Sequence, residues 1–170
     1  MSLLKEGEIP PPARLYSEKE LNREFDKILS AFNRTGEWQD RMKALTALQG
    51  LALGDALEWE KEFVSLLRKN SEALVAQVSD LRSVLSKEGC RTVSVLARRL
   101  GPNFAPLSEI LVPALLKVLI LKIKIMSSAA DRAIRIIIST TATGYIKLLP
   151  ILLENCASKN TTTRRYSFEY

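Results

Sequence analysis

Between Trp38 and Arg165 the chain returns four times to one pattern: an apolar helical stretch, a short polar break carrying a basic or aromatic residue, then a second helical stretch. The breaks fall at Gly36 to Trp38, Ser79 to Arg82, Lys122 to Ser128 and Ser158 to Thr162, roughly 36 to 44 residues apart, which is close to the period of two-helix solenoid repeats. A unit of that size cannot bury its apolar face alone, so it stacks on its neighbours, and one loop from each unit then falls on a common edge. The expected fold class is all-α, a solenoid of about four helical pairs, and the loop edge is where function is sought.

Local signals place the helices within that frame. Ser17-Glu18-Lys19-Glu20 forms a capping box with Tyr16 and Leu21 at the staple positions, and Leu21, Phe25, Ile28, Leu29 and Phe32 follow at helical spacing, so the first helix starts at Glu18. Pro10 to Pro12 ahead of it read as an extended linker, dividing the chain into a disordered linker over 1–14 and a repeat domain over 15–170. A second stripe runs from Trp38 through Met42, Leu45, Leu48 and Ala52 to Gly54, a plausible residue just past a helix end. Asp55 with Glu58 restarts a helix carrying Leu57, Phe63, Leu66 and Leu67, which continues past a break at Asn70 and Ser71 through Leu74 and Val78. The next helix spans about Arg82 to Leu100 and ends at Gly101-Pro102. Ser128 with Asp131 marks another helix start before Ala133, Ile134, Ile137 and Ile138; the β-branched run also suits a strand, but the capping signal and the repeat register favour helix. The last pair is Tyr145 to Cys156 and a helix from about Thr163.

Ile110 to Met126 is the most apolar window, yet it is shorter than the roughly 20 residues a membrane span needs and carries Pro113, Lys117, Lys122 and Lys124. A solenoid helix buried on two sides reads the same way, and no membrane partner is expected. Cys90 and Cys156 cannot make a disulfide framework, and the first residues lack a signal-peptide pattern, so a reducing compartment is the default. Cys90 is expected as a small buried residue rather than a reactive thiol. Charge is uneven: residues 79–170 hold fourteen basic against six acidic residues, while the preceding 78 hold eleven against thirteen. That field favours an acidic partner, although scattered basic charge also serves solubility alone.

Catalysis finds little support. The chain has no histidine, which removes Ser-His and Cys-His pairs and the commonest metal ligand. Glycine-rich phosphate loops and the nucleophile-elbow motif are absent, two cysteines do not make a zinc site, and Ser2-x-x-Lys5 is an unanchored coincidence. No enzyme activity, cofactor or metal is expected. A binding module is.

Trp38-Gln39-Asp40-Arg41-Met42-Lys43-Ala44-Leu45 resembles the opening of a TOG domain, a HEAT-repeat module that binds tubulin. The closer resemblance is to the TOG domain of CLIP-associating proteins. It rests on Tyr16-Ser17, Asp80-Leu81-Arg82-Ser83, Lys124-Ile125-Met126, Arg135-Ile136-Ile137-Ile138, Asn155-Cys156, Ser158-Lys159, Arg164-Arg165 and Phe168-Glu169, in family order over roughly residues 14–170. The resemblance implies a HEAT-repeat-like paddle of the TOG type. The edge made by its intra-repeat loops docks on tubulin, regulating microtubule dynamics by stabilisation, rescue and suppression of catastrophe in the cytoplasm at microtubules. Carried over residue by residue, Trp38 matches the first-loop aromatic, Lys124 the third-loop lysine, and Lys159, Arg164 and Arg165 the basic set around the fourth loop, with Lys122 as an extra cation. Ser79 stands where the family has a lysine, leaving second-loop contacts to Arg82, and Tyr166 replaces a third arginine. Family domains hold more repeats than the four pairs read here, so the chain is expected to correspond to the truncated, N-terminal part of such a domain: a fragment lacking further repeats of a longer parent chain, the product of a truncated gene model, or a protein that completes itself with another chain.

Burying a tryptophan is worth up to roughly 4 kcal/mol before ordering costs, against about 0.2 to 1 kcal/mol for an exposed ion pair. Trp38 is therefore the expected anchor, with the lysines and arginines setting encounter rate and register. The competing reading of Trp38 is a core residue packed on Met42. The competing reading of the whole is a generic HEAT-repeat scaffold not specific for tubulin. Nucleic acid is disfavoured because no basic motif interleaved with aromatics is visible.

Overall fold

The computed structural model describes residues 9–34, 37–140 and 145–170. Nine α-helices are found among them, α1 (Glu18–Phe32), α2 (Trp38–Leu53), α3 (Glu60–Lys69), α4 (Ser71–Val78), α5 (Ser83–Leu100), α6 (Ala105–Leu119), α7 (Lys124–Thr140), α8 (Tyr145–Cys156) and α9 (Thr161–Glu169), and no strand. The β-branched run of α7 is helical. Its Ala130, Ala133, Ile134 and Ile137 are buried on one side, the 3.6-residue spacing of a single helix face.

The helices pair as α1 with α2, α4 with α5, α6 with α7 and α8 with α9, and the pairs stack as an all-α solenoid of HEAT-like repeats. One layer holds α1, α3, α4, α6 and α8; the other holds α2, α5 and α7 side by side. The core fills the space between them, with Phe25 meeting Phe63 edge-on at 6.3 Å and Leu85, Leu96, Leu107, Leu111 and Leu115 fully buried. Polar ties cross the second layer. Gln49 of α2 donates to Glu88 and Thr92 of α5 at 2.7 and 2.8 Å, and Arg99 Nε reaches the Ala52 carbonyl at 3.1 Å. Ser83–Leu119 is long and apolar enough to cross a membrane, but 56% of its most apolar window is buried inside the protein, as in a core helix.

Several expected boundaries move, each for a local reason. Ser17 caps α1 through its side chain, yet Tyr16 is 85% exposed, too open to staple onto the buried Leu21; Leu15 is the residue ahead of the cap that joins the core cluster. Residues 9–14 include no free linker. Pro10 is buried, Ala13 N–H donates to Gly50 O at 2.8 Å and Ala13 O accepts from Asp55 N–H at 3.1 Å. Gly54 permits this approach, since a Cβ there would lie 2.0 Å from Ala13 O. Residues 1–8 of the expected linker lie outside the described ones. Asp55–Trp59 is a 3-10 turn rather than the start of an α-helix. Gly101, at φ 50, turns the chain from α5 into a second 3-10 segment.

The expected start at Ser128 is wrong by a turn. Ile123 O already accepts from Met126 and Ser127 N–H, so α7 begins at Lys124, driven by burial of Met126 at 1% exposure. Ser128 and Asp131 are then interior. Likewise Asn160, not a residue nearer Thr163, caps α9, its side chain accepting from Thr162 and Thr163 N–H at 2.9 and 3.1 Å.

Candidate loop-edge interface

In a stack of hairpin-like pairs, every turn from first to second helix lies at the same end. The described residues of those turns are 33, 34 and 37, then 79–82, 120–123 and 157–160, with Thr35 outside the described residues. Six of the seven predicted site residues fall in them or in the first turns of the helices that follow, and Arg165 opens the second turn of α9. Gly36 lies outside the described residues.

Trp38 is the first residue of α2 and is partly exposed. Met42, one turn on, packs against the core cluster while Trp38 stands outside it, so the indole is a rim side chain rather than the core residue of the competing reading. It sits among acids. Hydrogen bonding to Asp40 raises the Glu37 carboxyl above its ordinary value and lowers that of Asp40, which also pairs with Lys43 at 2.9 Å.

One helical turn beyond Trp38, Arg41 joins the first loop to the second. Its side chain is 8% exposed and its Nη1 lies 2.9 Å from Asp80 Oδ2 and 3.2 Å from Gln77 Oε1. Asp80 Oδ1 in turn accepts from Arg82 N–H at 2.8 Å. This clamp fixes the second loop so that Leu81 projects outward with 92% of its surface exposed. Arg82 is exposed beside it, 3.8 Å from Asp80.

The third turn was expected to be the end of a buried apolar helix. Instead α6 stops at Leu119, and the surplus apolar residues wrap around the turn: Ile120, Leu121, Ile123 and Ile125 are 38%, 42%, 47% and 56% exposed. Lys122 and Lys124 alternate with them, both exposed and without an ion-pair partner among the described residues. Lys159 is exposed in the fourth turn. The two arginines there are committed locally. Arg164 Nη1 donates to Ser158 O at 2.6 Å and to Lys159 O at 3.1 Å, bracing the turn, while Arg165 pairs with Glu169 at 3.3 Å and lies 4.6 Å over the Tyr166 ring.

The site residues singled out from the sequence are thus the cations and the tryptophan of this edge, while its other apolar residues, Leu81 and the isoleucines of the third turn, are not among them. The available signal was an apolar run that overshoots its helix next to two lysines. No cluster of potential metal ligands occurs among the described residues.

A stacked helical-repeat solenoid with an amphipathic loop edge is the class this arrangement defines. The chain belongs to the CLASP N terminal family, whose model matches residues 21–170. It is 36% identical over 160 residues to an uncharacterized protein of Dictyostelium discoideum, covering 94% of this chain and 19% of that protein. It is 29% identical over 160 residues to the CLIP-associated protein of Arabidopsis thaliana and 31% identical over 161 residues to CLIP-associating protein 1 of Xenopus tropicalis, covering 94% of this chain and 11% of each relative. The chain therefore spans between a tenth and a fifth of the length of these curated relatives.

Proposed function

We propose that the chain is a tubulin- and microtubule-binding module that regulates microtubule dynamics, docking through the turns between the first and second helices of its repeats. Membership of the CLASP N terminal family supports the microtubule-associated role. The observation that carries the finer reading is the edge itself: Trp38, Leu81 and the third-turn isoleucines alternate with Arg82, Lys122, Lys124 and Lys159 along one rim. Such a rim supplies apolar area for affinity and positive charge for steering toward an acidic surface.

The test is fluorescence anisotropy of labelled unpolymerised tubulin against the purified chain, with co-sedimentation on microtubules. Binding is expected in at least one format, with Leu81→Asn and Trp38→Ala each weakening it and raised salt slowing association more than it speeds dissociation. A properly folded chain that binds neither form, or whose binding ignores both substitutions, would refute the proposal.

A further inference from the structure

The broad face of the second helical layer carries a groove that the loop edge does not use. It lies between α5 and α7 and is lined by Arg98 from the last turn of α5 and by Ser128, Asp131, Arg132, Arg135 and Ser139 of α7. Ser128, Arg132, Arg135 and Ser139 are spaced four, three and four residues apart, so they form one polar ladder along a single helix face. The opposite face of α7 is in the core.

Charge in this groove is not balanced. Its one carboxylate is already engaged: Asp131 Oδ1 accepts from Arg135 Nε at 3.0 Å and from the Tyr170 hydroxyl at 2.8 Å. Arg135 also reaches Glu169 at 3.2 Å and lies 5.2 Å from the centre of the Tyr170 ring. These contacts fix one wall and leave Arg98 and Arg132 exposed, with no hydrogen-bond or ion-pair partner among the described residues. Two unpaired guanidinium groups therefore flank a trough that already has serine hydroxyls along it.

We propose that this groove is a second docking site, for an acidic peptide segment in extended conformation. Eleven residues separate Ser128 from Ser139, a distance of about 16 Å along a helix, which an extended strand spans with about five residues. Arg98 and Arg132 are the forks for its carboxylates, since planar guanidinium groups match carboxylates bidentately. Ser128 donates at one end, while Ser139, whose hydroxyl proton goes to the Ile136 carbonyl at 3.0 Å, accepts a peptide N–H at the other. The site is independent of the tubulin reading because it lies on the helix face and shares no residue with the loop edge.

The probe is a fluorescein-labelled hexaglutamate peptide titrated with the whole chain at about 50 and about 200 mM salt, where screening lengths differ by about twofold. Saturable binding is expected at the lower salt. Arg98→Ala with Arg132→Ala should weaken it at least tenfold, whereas Lys122→Ala with Lys124→Ala and Trp38→Ala should each change it less than twofold. Both substituted arginines are exposed, so thermal unfolding should match the parent chain; Arg98→Gln with Arg132→Gln, which keeps most of the side-chain bulk, should reproduce the loss. No binding by the parent chain, equal losses from the loop-edge lysines, or tighter binding of a single-stranded hexanucleotide than of the peptide would each overturn the proposal.

Discussion

Replacing Asp80 with alanine should be among the most damaging changes near the surface of this protein. The side chains of Arg41 and Asp80 are only 8% and 12% exposed at an N–O distance of 2.9 Å, so the pair is shielded from water at the seam between two repeats. Asp80→Ala would leave the Arg41 guanidinium with one neutral acceptor, Gln77 Oε1 at 3.2 Å, while its Nε already lacks a partner. Breaking a buried pair from one side costs about 3 to 5 kcal/mol. The residual exposure of Asp80 and the single remaining acceptor place the expected cost near the low end, about 3 kcal/mol. Urea unfolding followed by far-UV circular dichroism would read this as a midpoint lowered by about 1.5 M, taking a slope of about 2 kcal/mol/M that the substitution leaves unchanged. The double variant Arg41→Met with Asp80→Ala buries no orphaned charge and should recover more than half of the loss, a coupling of about 2 kcal/mol. A single-variant cost below about 1 kcal/mol, or strict additivity in the cycle, would mean that water reaches the pair and that it does not clamp the second loop.

Within the tubulin proposal, Leu81→Ala should cost about tenfold or more in affinity, because burying a leucine that is 92% exposed is worth about 1.5 to 3 kcal/mol. Trp38 is partly buried in the free chain and keeps only part of its large apolar surface for a partner, so tubulin titrations of the two variants should give comparable losses, each above that of Lys122→Ala, since an exposed charge is worth about 0.2 to 1 kcal/mol. Loss of affinity at the lysine alone would contradict this ranking. Cys90 is 1% exposed and burial pushes its thiol up to about 12, so iodoacetamide at neutral pH should label Cys156 and spare Cys90 until the chain unfolds. The same shift makes this site stabilising below the ordinary thiol value of 9.0 and lost as pH rises from there toward about 12, because the unfolded thiol ionises first; a urea midpoint indifferent to pH in that window would contradict it. Asn160→Ala removes the side-chain acceptor of two N–H groups at the start of α9 and should cost about 1 kcal/mol, seen as faster amide exchange confined to that helix.

A reader of the chain alone could place most of the helices, and the reasons are local. Ser17 announces α1, Gly54 ends α2, and Gly101-Pro102 closes α5, each through capping or turn chemistry that operates within a few residues. The period of the apolar stretches, and hence the stack of pairs with its first-to-second-helix turns at one end, is likewise written in sequence order, as were Trp38 and the lysines of that edge. Local chemistry also misled where tertiary burial outweighed it. Ser128 and Asp131 form a sound capping pattern, yet burying Met126 set the start of α7 four residues earlier.

What only the tertiary structure decided is which apolar residues stay in water and which charges remain unspent. Leu81 is indistinguishable by type from the buried Leu85, but the Arg41–Asp80 clamp holds one outside while helical phase turns the other inward. Arg132 and Arg135 share a face of α7 and a residue type, yet only Arg135 is taken up, by Asp131 and by Glu169 of α9. Hydrophobic periodicity is a property of nearest neighbours along the chain and can be read from it. Exposure and charge pairing depend on residues 34 to 39 positions apart that meet only when the repeats stack.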